Sequence, residues 1–249
     1  MKKKFAIAAI FLMTYLVFLI ATLPSAVVLK QVTLPKHIAL SGVKGTLWQT
    51  EIEQLTVGKT VIEQVDAKLS FWSLFVLTPK IDISFGDPLL SGAEGKLVLS
   101  INSKEMVVRD LSLFVKANDV AKQLTLPLPV SAQGELALEL SEASLSLQDN
   151  QCLTAKGEVN WSKAGVVVFE QNINLGRFSA EISCEDGSLA VQLSPKNNLG
   201  LTFNAYIHQR GKISGRGYLK PEAKFPKELN SALAFLGKKD NQGRYRLSF

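Results

Sequence analysis

The chain has 249 residues, 47% hydrophobic and 20% charged, with 28 Lys+Arg against 22 Asp+Glu and only two Cys and two His. Residues 1–30 hold four of the basic residues and no acidic one, leaving 24 against 22, a balance of +2, for the remainder. A basic excess of that origin is a topology signal. It excludes a nucleic-acid surface, which needs a clustered basic face with aromatic or base-reading partners.

Lys2, Lys3 and Lys4 open the chain, and no charged residue follows from Phe5 through Leu29. A bilayer core about 30 Å thick is spanned by roughly 20 apolar residues in a helix. Residues 1–30 therefore predict a cytoplasmic tip and an inner-membrane anchor, single-pass, with the N-terminus inside and the body outside. A cleaved signal peptide shares the basic start, but its apolar region is usually about 7–15 residues and ends in small residues. Phe5 to Ile20 is already longer, and Leu19-Ile20-Ala21 and Pro24-Ser25-Ala26 are poor cleavage sequences. Pro24 is expected in the last helical turn, its freed carbonyl satisfied by neighbours or the interface.

The body, 31–249, reads as strands. Apolar residues alternate with polar ones at Ile81, Ile83, Phe85; at Leu97, Leu99, Ile101; at Leu136, Leu138, Leu140, continued by Leu145 and Leu147; at Leu189, Val191, Leu193; and from Leu199 to Ile207. Such period-two patterning marks sheets with one wet face. Gly86-Asp87-Pro88, Asp149-Asn150, Asp186-Gly187 and Lys196-Asn197-Asn198 supply turns between them. Short connections predict an antiparallel meander, either a curved sheet or a sandwich. Pro127 and Pro129 cannot donate to a ladder, so Leu124–Pro129 predicts an extended crossover dividing the body into halves 31–123 and 130–249. From Phe225 to Leu236 the pattern turns helical, with Pro226 in the first turn, Leu229, Ala232, Leu233 and Leu236 on one face and Gly237 at the end. The fold class is mainly β, with an N-terminal transmembrane helix and a short C-terminal helix. Glycines recur ahead of β runs at Gly45, Gly95, Gly134, Gly157 and Gly217; they start strands or mark a close backbone approach, and strand starts are the commoner case.

Cys152 and Cys184 both fall on the extracytoplasmic side of the predicted topology, where disulfides persist. A bridge is one reading and two small apolar cysteines the other. Strict alternation puts Cys184 on the apolar face of Phe178, Ala180 and Ile182 but Cys152 in phase with Thr154 and Lys156, so a bridge requires a bulge.

A search for chemistry yields no catalytic residue, no metal ligand set and no cofactor motif. His37 and His208 have no Cys or carboxylate at metal-ligand spacing; His37 reads as a solvated interface residue and His208 falls on the polar phase of its strand. No serine stands in a nucleophile elbow and no glycine-rich loop leads from strand to helix. Glu51 with Glu53, and Glu185 with Asp186, read as solvated acids. The apolar surface is the better lead. Phe71, Trp72, Leu74, Phe75, Val76 and Leu77 are apolar on both parities, which predicts a strand buried on both faces or, alternatively, a patch reaching a partner or the membrane. Trp48 and Trp161 are expected as core plugs.

The order and spacing of several fragments resemble protein N of the type II secretion system. They are the basic tip and anchor, Leu34-Pro35, Leu40-Ser41-Gly42, Val43 to Trp48, Cys152 to Trp161, Phe178 to Gly187, and an end running through Pro226, Leu229, Leu236-Gly237, Asp240 and Gly243 to Leu247. The resemblance implies an inner-membrane accessory component of the secretion apparatus, with a periplasmic β body, no known enzymatic residues and paired cysteines in its second half. Two functions follow. The first is a structural or interaction protein that docks other type II secretion subunits and supports export of folded proteins across the outer membrane. The second is a periplasmic lipid-binding module with an apolar β groove, in the manner of AsmA-like envelope proteins.

Overall fold

Alternation at this density produces a meander of thirteen antiparallel strands in one sheet, ordered as in sequence. The computed structural model describes residues 2–31, 35, 38–58, 60–87, 92–123, 131–168 and 171–248. The strands are β1 (Ile38–Thr46), β2 (Gln49–Val57), β3 (Thr60–Leu69), β4 (Lys80–Phe85), β5 (Glu94–Ile101), β6 (Glu105–Lys116) and β7 (Ser131–Ser146). They continue as β8 (Cys152–Val168), β9 (Gln171–Glu185), β10 (Ser188–Leu193), β11 (Leu201–Ile207), β12 (Ile213–Leu219) and β13 (Tyr245–Ser248). Among the described residues one long α-helix, α1 (Lys2–Ala21), and three short ones, α2 (Ser25–Gln31), α3 (Phe71–Phe75) and α4 (Ala117–Gln123), accompany them. The Leu124–Pro129 segment and His37 lie outside the described residues. β6 and β7, on either side of that segment, pair directly, so the ladder is continuous from β1 to β13.

Apolar residues of neighbouring strands line up opposite one another along the sheet. Leu69 lies opposite Ile81, Ala67 opposite Ile83 and Val65 opposite Phe85; Leu113 lies opposite Leu138 and Leu111 opposite Leu140. The alternation is not strict, however. In β1, β2 and β3 the apolar series skips a step, from Leu40 to Val43, Leu55 to Ile52 and Ile62 to Val65, and these positions are aligned across the three strands. The burial pattern follows the skipped series, with Ile62 half-buried, Glu63 and Gln64 exposed and Val65 buried. Left-handed residues make the skip: Gly42 has φ 68° and Gln64 φ 51°. The same device recurs at Asp110 (φ 50°) in β6, Lys163 (φ 50°) in β8 and Gly176 (φ 89°) in β9. Each is a local break in the pleat that returns apolar side chains to one face, the work of a β-bulge.

Glycines inside strands permit close approach more often than they start strands, contrary to the expectation from sequence. A Cβ on Gly157 would stand 2.3 Å from the Glu139 carbonyl oxygen, and one on Gly217 would stand 2.1 Å from that of Thr202. Neither space exists.

Among the described residues no second sheet packs on the apolar face. Strands make most of their contacts with sheet neighbours, with β8 also meeting β10, while α2 packs on β1, α4 on β6 and β7, and the Ser231–Leu236 segment on β13. The accessible surface is 17384 Å², whereas a compact monomer of 27.2 kDa exposes about 10,900 Å². The exposed α1 and the single-layered sheet both contribute to that excess. Burial is concentrated late in the chain, where Ala164, Ile173, Leu175 and Phe178 form a cluster covered by Leu199 and Leu229. Over β1 to β7 the apolar face stays half-exposed, Val65 being its buried member.

Two helical expectations are corrected. Phe225–Leu236 forms 3-10 turns, Lys227–Leu229 and Ser231–Leu236. Its bonds run from Leu229 N–H to Pro226 C=O and from Leu233 N–H to Asn230 C=O, the tighter pattern adopted by short pieces. At the other end α1 stops at Ala21, before Pro24, because a proline disfavours helical backbone in the residue ahead of it. Pro24 instead bridges to Thr46.

Candidate docking surface

The predicted Phe71–Leu77 strand is a five-residue helix, α3, and its apolar side chains are exposed rather than buried. Relative exposure is 46% at Phe71, 77% at Trp72, 69% at Phe75, 68% at Val76 and 81% at Leu77, with Leu74 half-buried. Local hydrogen bonds explain the helix. The Ser73 hydroxyl donates to the Ser70 carbonyl and accepts the Lys80 N–H, and the Ser70 N–H reaches the Lys80 carbonyl. The serine side is thus fastened to the start of β4 while the aromatic side faces out.

Trp48 connects this patch to the N-terminal helix. Its ring meets Phe71 edge-on at 5.1 Å, and Phe71 in turn meets Phe75 at 5.2 Å and Trp72 at 5.7 Å. The Trp48 indole N–H donates to the Ile20 carbonyl at 3.0 Å, and the Leu47 N–H to that of Leu23 at 2.9 Å. The residue expected as a core plug is therefore a joint, half-buried, between the sheet and α1. Trp161 is closer to expectation, stacked on Phe178 at 5.6 Å with its N–H donated to the Gln133 carbonyl.

α1 is 20 residues long, about 30 Å, and its large apolar side chains from Ile10 to Ile20 are 43–75% exposed. Counted over the described residues, with several side chains in the first half of α1 outside that set, no helix is long and apolar enough to cross a membrane. The chain beyond α1 is locked to the sheet by buried Ser25, whose hydroxyl sits 3.0 Å from the Lys44 carbonyl and 3.2 Å from that of Gly45.

Cys152 and Cys184 are joined through their sulfurs with Cα atoms 5.6 Å apart. A register shift between Ser144 and Leu145 sets Cys152 opposite Leu145, and this bulge moves it into reach of β9.

Several polar and charged side chains bond one another across neighbouring strands. His208 follows β11, its Nδ1 2.9 Å from the Ser188 hydroxyl and its Nε2 2.7 Å from that of Ser214, so both ring nitrogens serve to tie three strands together. Glu53 pairs with Lys44, and the hydrogen bond and charge of that carboxylate raise the Lys44 pKa. Arg109 and Glu142 pair at 2.9 Å across β6 and β7. A hydrogen bond from Ser146 lowers the Asp149 pKa, and the backbone N–H of Arg244 lowers that of Asp240. Among the described residues no three His, Cys, Asp or Glu side chains form a metal-binding group.

Comparison with known proteins adds identity to this geometry. The family model described as type II secretion system (T2SS), protein N matches residues 36–248. A curated relative named type II secretion system protein N from Aeromonas hydrophila is 30% identical over 254 residues, covering 100% of this chain and 98% of that one. One of the same name from Vibrio cholerae serotype O1 is 26% identical, covering 98% and 97%, and one from Klebsiella pneumoniae is 30% identical, covering 98% and 94%. No solved structure matches significantly.

Proposed function

The chain belongs to the type II secretion system protein N family, and on that premise we propose that it is an accessory, non-enzymatic component of the apparatus, anchored in the inner membrane by α1. Its β body stands in the periplasm, docks other secretion subunits and supports export of folded proteins across the outer membrane. The family match over residues 36–248 carries this reading. The geometry supports it in two ways. α1 leaves its apolar side chains without protein cover, which lipid would supply, and the sheet ends in edge strands β1 and β13, with a short β13 able to accept a partner's strand. Confinement to the membrane raises effective concentration, so weak contacts suffice. Crosslinked membranes carrying the tagged full chain test the reading. Secretion subunits should be enriched over the untagged control; their absence would count against it.

A second reading is favoured by the uncovered apolar face of β1 to β7: a groove for lipid acyl chains. Mass spectrometry of the purified chain would detect stoichiometric co-purified lipid under this reading and none under simple docking.

A further inference from the structure

Ser70 through Pro79 contains no charged residue, and it is set between exposed Lys68 at the end of β3 and exposed Lys80 at the start of β4. Within it, Phe71, Trp72, Phe75, Val76 and Leu77 expose between 46% and 81% of their surface. A contiguous apolar cluster of this size requires a non-aqueous neighbour. Its position identifies that neighbour. Through Trp48 the cluster is one ring contact and one hydrogen bond from Ile20 in the last turn of α1, and the Leu47 bond to Leu23 fixes the same junction.

We propose that α3 is an interfacial foot: Phe71, Trp72 and Phe75 insert at the headgroup level of the leaflet from which α1 emerges, with Lys68 and Lys80 on lipid phosphates. The occupant is the bilayer surface itself. Depth argues for it, because a group hydrogen-bonded to the end of a membrane helix is held at the membrane boundary, where amphipathic aromatic rings are favoured and lysines reach the headgroups. Composition agrees, since Ser70 to Pro79 has three aromatic rings and no acid; of the flanking lysines Lys80 faces Ser100, while Lys68 stands opposite Asp82 in the ladder. With α1 and α3 as two points of attachment, the sheet is held at a set angle, the β1–β2 and β3–β4 connections against the membrane and the opposite strand ends away from it. This inference rests on the anchor reading of α1.

The test uses the full chain reconstituted in phosphatidylethanolamine–phosphatidylglycerol vesicles whose acyl chains carry bromine close to the headgroup. Tryptophan emission of the natural chain should be quenched by these lipids, and W72F should lose the larger part of the quenched component while keeping its circular dichroism spectrum. Equal quenching in the two proteins overturns the foot. So does a Trp72 component that lipid bromine leaves untouched but aqueous iodide cannot reach, which identifies a protein partner or a second copy as the cover. Alkaline extraction of the same vesicles separates the two readings. Release of the chain removes the anchor and the foot together, whereas retention with unquenched Trp72 overturns the foot alone.

Discussion

Replacing both cysteines, as C152S/C184S, removes a cross-link that closes a loop of 32 residues between β8 and β9. In the chain-entropy description that loop restricts the unfolded ensemble by about 3.7 kcal/mol at 25 °C. Both cysteines are half-buried, so the serine hydroxyls keep access to water and add little desolvation cost. For a domain of this size each kcal/mol moves the melting temperature by about 2–4 °C, which predicts a fall of roughly 7–15 °C. Thermal unfolding of the detergent-solubilised full chain, followed by circular dichroism, measures it, with the C152A/C184A pair as a control for the hydroxyls. A melting temperature within about 2 °C of the oxidised natural chain would refute the reasoning. That outcome would mean that the denatured state keeps β8 and β9 together without the bond.

The covered and uncovered parts of the apolar face should respond differently to truncation. F178A opens a cavity in the covered cluster, where Phe178 is 7% exposed, and should cost about 3–5 kcal/mol. L138A lies on the half-exposed face and should cost less than about 2 kcal/mol; equal losses in denaturant melts would show that another layer covers β7. G217A forces a Cβ to within 2.1 Å of the Thr202 carbonyl and should lower stability by at least about 1–3 kcal/mol. Asp240 holds its turn through the backbone N–H groups of Arg244 and Gln242, which lower its pKa. A carboxylate whose folded pKa is depressed contributes stability above its unfolded value of about 3.9 and loses it as pH falls through the lower folded value. D240N should therefore melt below the natural chain at neutral pH, with the gap closing in acid. A gap unchanged at low pH would refute the assignment.

The antiparallel β meander was legible because alternation is written plainly at residues such as Ile81, Ile83 and Phe85, and because Asn150 and Asp186-Gly187 adopt the positive φ that turns require. What strict alternation missed is the skipped step. Leu40 to Val43, Ile52 to Leu55 and Ile62 to Val65 share a three-residue spacing that a period-two reading treats as noise, yet the three lie side by side in the sheet. The same blindness put Cys152 out of phase with Cys184, since nothing local announces the bulge at Ser144. The Phe71–Leu77 segment, expected as a strand buried on both faces, is instead a short helix with exposed apolar side chains. Residues apolar on both parities describe a buried strand and an exposed aromatic turn equally well, and the difference is tertiary: Ser73 pins one side of α3 to Lys80, and Trp48 places the other beside α1. The C-terminal segment had a helix's spacing without its length, and its i to i+3 bonds follow from that shortness.

The proposed role in type II secretion is open to a direct test in the cell. Deleting the chain from its own cell, and restoring it in full, tests this most directly when an exported folded protein is measured in the medium and in the periplasm. The exported protein should accumulate in the periplasm on deletion and return to the medium on restoration; unchanged secretion without the chain would overturn the proposed role.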